Sequence, residues 1–189
     1  LTLLYRGQSW SRVAIAFGDA KTVEAMEFAA AFPWQEFLPT QFSFKVEVDN
    51  VKGQENRFDF ARIIAGKLFS LFEKELKFKP TLDLKHPDFI FLLYFDGKKY
   101  YLGLDVAGQE LSSRSYRVFT NSASYKGDFG YYFLRSSGFK VGEKLFLGFV
   151  KDGTVAIEAA LFAYALPVQD LSTTFSYKRF PCCRDVTPR

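Results

Sequence analysis

Between Gln41 and Val48, the apolar residues Phe42, Phe44, Val46 and Val48 alternate with Ser43, Lys45 and Glu47. That two-residue period predicts a half-buried β-strand, the clearest in the chain. Trp10 to Phe17 alternates through Trp10, Arg12, Val13, Ile15 and Phe17 and stops at Gly18-Asp19, predicting another strand. Lys21 to Phe32 has helical spacing, with Val23, Met26 and Ala30 on one face and Asp19 as its cap. Pro33 and Pro39 bracket a linker in which Trp34, Phe37 and Leu38 are expected to pack.

After a polar loop from Val51 to Arg57, a helix is predicted over Asp59 to Leu76, its apolar face carrying Ile63, Ile64, Leu68, Phe69 and Phe72. Strands are predicted at Thr81 to Leu84, Phe89 to Phe95 and Lys99 to Asp105. Asp96-Gly97 between the last two is a hairpin signal. The order strand, helix, strand, hairpin predicts an α/β layer, which Gly103 to Gly108 leads out of. Farther on, a helix is predicted over Ser124 to Ser136, although Gly127 and Gly130 each weaken it by about 1 kcal/mol relative to Ala. An apolar strand from Lys144 to Phe149 is then expected to run into a turn and an alanine-rich helix starting near Gly153. Doubly wound sheets present a helix N-terminus to a ligand in this way.

At 189 residues, 48% of them hydrophobic, the chain can bury one large core or two small ones, which excludes disorder. Its longest apolar stretches are of strand length, so no membrane span is expected. The opening Leu1-Thr2-Leu3-Leu4-Tyr5-Arg6 does not fit a signal peptide, and its lack of an initiator Met suggests a fragment or processed product. Adjacent Cys182 and Cys183 suit a reduced intracellular protein, and with the lone His86, read as an exposed turn residue, they form no zinc pattern. One histidine also makes a serine triad at Ser112-Ser113 or Ser136-Ser137 implausible.

The net charge of +4 is unevenly spread. Residues 1–110 hold 14 Lys/Arg against 15 Asp/Glu, and residues 111–189 hold 11 against 6. In the basic segment Arg114, Arg117, Lys126 and Arg135 are interleaved with Tyr116, Phe119, Tyr125, Tyr131, Tyr132 and Phe133. Cations bind phosphate and release counterions, while aromatic rings stack on unpaired bases, so RNA is a candidate partner. A solvated face over a core explains the same composition equally well. Glu158 reads as a helix-dipole partner rather than a catalytic group.

Arg114, Tyr116-Arg117, Ala123, Ser137-Gly138-Phe139, Gly142-Glu143, Gly153-Thr154 and Ile157-Glu158-Ala159-Ala160 together resemble the entry to the methyltransferase domain of THUMP-containing RNA guanine-N2 methyltransferases. The resemblance implies an α/β (α+β) fold in three parts. Residues 1–40 would end a ferredoxin-like region, 41–110 form a THUMP-like RNA-binding domain, and 111–189 form a truncated, degenerate, incomplete Rossmann-like methyltransferase segment. The family's cofactor loop reads Asp-Pro-Phe/Met-Cys/Ala-Gly-Ser-Gly-Thr. In that register Leu147 replaces the Asp and Lys151 the first Gly, while Phe149, Gly153 and Thr154 survive as remnants of cofactor binding. The family's Pro-Pro clamp on the target amine is missing, since no Pro-Pro dipeptide occurs in the chain.

The resemblance therefore implies a cytoplasmic RNA-binding protein acting in tRNA or rRNA modification or assembly, with no catalytic residues, no metal and no cofactor expected. Lys52, Arg57, Arg62, Lys67, Arg114, Arg117 and Lys126 are its candidate RNA contacts. Its target would be a tRNA acceptor end or a structured rRNA element. Two alternatives stand beside this reading. One is an S-adenosylmethionine-dependent guanine-N2 methyltransferase, or a fragment or subunit of one. The other is an assembly protein, as a homodimer or docked on a ribonucleoprotein or methyltransferase partner.

Overall fold

The alternation at 41–48 becomes a strand that organises a mixed sheet. In the computed structural model, which describes residues 2–29, 31–117, 124–148 and 150–186, the elements in chain order are α1 (Thr2–Arg6), β1 (Ala14–Ala20), α2 (Trp34–Phe37), β2 (Ser43–Asp49), α3 (Gln54–Glu75), β3 (Thr81–Leu82), β4 (Phe89–Phe95), β5 (Tyr100–Asp105), α4 (Gly127–Ser136) and α5 (Thr154–Ala163). They fall into two compact units. A sheet unit comprises residues 14–108 and 175–186, and a helical unit comprises residues 1–13, 109–174 and 187–189. These units cut across the three-part division expected from sequence, because β1 belongs to the sheet whereas residues 1–13 join the helical unit.

The sheet order is β1-β5-β4-β2-β3. β2 and β4 are parallel, with Phe44 opposite Phe89 and Val46 opposite Phe91, and α3 is part of the crossover between them. β4 and β5 form the antiparallel hairpin predicted at Asp96-Gly97, where Gly97 takes a φ of 97°. α3 lays Ile64, Leu68 and Phe72 into the core. Phe72 is fully buried, with Trp34, Phe42, Phe44 and Phe91 at ring separations of 5.4–5.9 Å. A register shift between Ala16 and Gly18 in β1 accompanies burial of Phe17 against Trp34 and Phe91.

Several expected elements differ. β1 starts at Ala14 rather than Trp10 and runs through Gly18-Asp19, which pair with Leu102 and Tyr101 instead of ending the strand. Residues 21–29 and 31–32 form turns, bends and irregular chain rather than a helix, although Val23 and Met26 are buried as predicted; Ala30 of the expected face lies outside the described residues. Their backbone groups find partners outside the segment. Ala29 N donates to Phe17 O on the edge strand, and Lys67 Nζ donates to the carbonyls of Glu24 and Met26. α3 starts five residues earlier than expected, because Gly53 at φ 86° turns the chain before it. Residues 144–148 form no strand, since among the described residues the helical unit has no strand to satisfy their backbone.

In the helical unit α4 packs on α5, and the N-terminal segment is stitched alongside them. Tyr5 O accepts from Val168 N and Gln169 N, Arg6 Nη1 donates to Ala165 O, and Leu111 N donates to Ser11 O. The glycines that weaken α4 have a packing role. A Cβ at Gly130 would lie 3.0 Å from Thr154 Cγ2 of α5.

Phe72→Ala is expected to lower stability by about 3–5 kcal/mol, as for other buried Phe truncations, measured as a shift in the urea midpoint. A near-neutral result would show that the aromatic cluster does not hold the sheet to α3.

Candidate functional site

The turn before α5 keeps the backbone form that the cofactor-loop resemblance implies while changing its chemistry. Lys151 (φ 53°) and Gly153 (φ 78°) are both left-handed. A left-handed backbone favours glycine, and a lysine there costs about 1–2 kcal/mol. The Lys151 ammonium lies 3.8 Å from the Tyr125 ring centroid. Asp152 Oδ1 accepts from Thr154 N, so one helix-start donor is already used within the chain. Thr154 is buried, and half-buried Leu147 brings no carboxylate where a ribose or ammonium acceptor would be needed. These residues differ from the cofactor loop that the resemblance implies. Phe149, like Phe119 and Ala123, lies outside the described residues.

Beneath this turn sits a buried polar network. Arg114 Nε donates to Glu158 Oε1 at 2.9 Å, and both side chains have 0% exposure. Tyr116 Oη reaches the same oxygen at 2.6 Å, and Gln8 Nε2 donates to Glu158 Oε2 and to the Glu158 carbonyl. Arg114 also donates to the carbonyls of Leu111 and Gln8. Burial, then the bond to the Glu158 carboxylate, pushes the Tyr116 phenol far above its ordinary range. Gly127 makes room for the pair, since a Cβ there would lie 2.5 Å from Arg114 Nε.

The candidate RNA contacts consequently separate. Arg114 is corrected from a surface cation to a buried structural one. Lys67 is likewise occupied by the carbonyls of the 24–26 turn. Arg117 is largely covered, at 3.8 Å from Asp152 Oδ2. Lys126 is exposed but pairs with Glu110, whose carboxyl that bond and one from Ser112 hold below the usual range. Glu158 is corrected from a helix-dipole partner to the acceptor of the buried pair.

Lys52, Arg57 and Arg62 are exposed around the start of α3, Arg57 Nε donating to Val51 O and Arg62 pairing with Asp59. Asn50 Nδ2 bonds Phe95 O, and Phe60 contacts Tyr100, which brings the β4–β5 turn to the same end of the sheet unit. Exposed Lys98 and Phe58, the latter 67% exposed, thereby join the group. Sequence reasoning missed both, though two lysines beside Asp96-Gly97 were a usable signal. The acidic residues Glu55, Asp59 and Asp96 are interspersed. Backbone bonds from Lys99 and Lys98 hold Asp96 below the ordinary carboxylate range.

Residues 20–105, almost the whole first segment of the sheet unit, match the THUMP domain. The chain carries a THUMP domain. It is 26% identical over 136 residues to a ribosomal RNA large subunit methyltransferase K/L of Photobacterium profundum, covering 71% of this chain and 19% of that protein. The protein of the same description from Psychromonas ingrahamii is 22% identical over 178 residues, covering 90% and 23%. A possible methylase from Clostridium difficile shares the fold at a TM-score of 0.65 and 16% identity, covering 94% of this chain and 48% of its own. The chain thus spans about a fifth of the curated relatives it matches, which are described as ribosomal RNA large subunit methyltransferases. No described helix is long and apolar enough to cross a membrane, and no metal-ligand cluster occurs among the described residues.

Glu158→Gln keeps the shape but leaves Arg114 buried without a counter-charge. A loss of about 3–5 kcal/mol is expected in chemical denaturation, and a change below about 1 kcal/mol would show the pair to be dispensable.

Proposed function

We propose that the protein binds structured RNA through the exposed end of its THUMP unit, serving tRNA or rRNA modification or assembly in the cytoplasm without methyl transfer of its own. The gathering of Lys52, Arg57, Arg62, Lys98 and Phe58 at the α3 start carries this reading. Its cations suit phosphates and its exposed ring suits an unpaired base. The relatives' description as ribosomal RNA methyltransferases supports RNA as the partner class.

The same relatives favour a second reading, in which the chain is part of an S-adenosylmethionine-dependent RNA guanine-N2 methyltransferase. Against it stand Leu147, the Lys151 side chain on Tyr125 and the helix-start donor taken by Asp152.

Replacing Lys52, Arg57 and Arg62 together by Glu is expected to weaken binding to a tRNA transcript by at least about tenfold. The salt dependence of the binding constant should become shallower by about one for each phosphate that is no longer neutralised. Unchanged affinity and slope would place RNA elsewhere or nowhere on the protein. Calorimetry of the full chain with S-adenosylmethionine should give no saturable heat, and a clear one-site isotherm would establish the second reading instead.

A further inference from the structure

We propose that an aromatic groove on the helical unit seats an unpaired RNA base, an inference that rests on the RNA-binding reading above. The groove has a volume of about 420 Å³ and is lined by Ser9, Asp128, Phe129, Tyr131, Tyr132 and Arg135. Residues 128, 131, 132 and 135 recur at helical spacing along α4 and so share one face. Phe129 and Tyr132 are 55% and 62% exposed, an unusual state for two large rings on one short helix.

The lining distinguishes a base from a docked protein segment. Grooves that take an amphipathic helix hold its apolar anchors in a hydrophobic cleft. Among the described residues this groove contains no aliphatic side chain; it offers rings, one guanidinium, one carboxylate and the hydroxyls of Ser9, Tyr131 and Tyr132. Every nucleobase has a π-face for such rings, and stacking contributes about 1–3 kcal/mol per base. The Arg135 guanidinium lies 4.8 Å from the Phe162 ring centroid and makes no ion pair among the described residues. A guanidinium stacked on a ring keeps edge N–H donors for phosphate.

Charge points the same way. The helical unit holds 10 Lys/Arg against 6 Asp/Glu, whereas the sheet unit holds 15 of each, so the entire basic excess belongs to the unit bearing the groove. Asp128 repels phosphate but accepts from an exocyclic amine. The seat therefore prefers adenine or cytosine to uracil.

The test compares an RNA hairpin with a blunt end against the same hairpin carrying a short 3′ adenosine tail, using the full chain. Wild type should bind the tailed RNA about tenfold more tightly. In the Phe129→Ala/Tyr132→Ala double variant that ratio should fall to about one, and a uridine tail should give wild type a smaller advantage. Both replaced side chains are exposed, and an unchanged thermal unfolding midpoint checks the variant's fold. Arg135→Gln, at another exposed position, provides a second variant that should also reduce the ratio. A wild-type ratio of one with blunt binding intact overturns the groove in favour of a protein-docking face, leaving the RNA reading in place. A tail preference that survives the double variant also overturns it. Failure of wild type to bind either RNA removes the RNA reading itself.

Discussion

Two opposite charges with no solvent exposure cannot remain inside a protein unless each is bonded on nearly every side, and the Arg114–Glu158 pair meets that condition. Its partners come from distant parts of the chain: Gln8 from the N-terminal segment, Leu111 and Tyr116 from the loop after the sheet, and the backbone of α5 itself. Gly127 supplies the space on α4. The pair thus ties the separate segments of the helical unit together at one point, and the turn before α5 inherits its position from Glu158 in the first turns of that helix.

That constraint separates architecture from chemistry at the turn. Left-handed backbone persists at 151 and 153, and α5 still begins where a ligand-facing helix would. The side chains have other partners: Lys151 a tyrosine ring, Asp152 the Thr154 amide. Fold relationship to methylases is consistent with this arrangement, since a fold is retained by packing whereas a site depends on a few donors and acceptors.

Much of the sheet unit was legible because its signals are local. Period-two alternation marked β2, Asp96-Gly97 marked the β4–β5 turn, and the apolar face of α3 named Ile64, Leu68 and Phe72 before the sheet was known. The segment 21–32 misled because its apolar spacing suits a helix equally well, and edge pairing with Phe17 together with Lys67 decides otherwise. Among candidate contacts, the cations flanking the start of α3 stayed exposed, but Arg114 looked identical to them in sequence and is buried.

Residue type and near neighbours sufficed for the α/β character, the strand and helix periods of the sheet unit and the uneven charge, because each is a property of a short stretch of chain. Packing in three dimensions settled which arginines and lysines meet solvent, that Glu158 is an ion-pair partner, and that the Lys98 turn shares an end of the sheet unit with Arg57. Those outcomes depend on contacts between residues tens of positions apart, whose geometry no local period encodes.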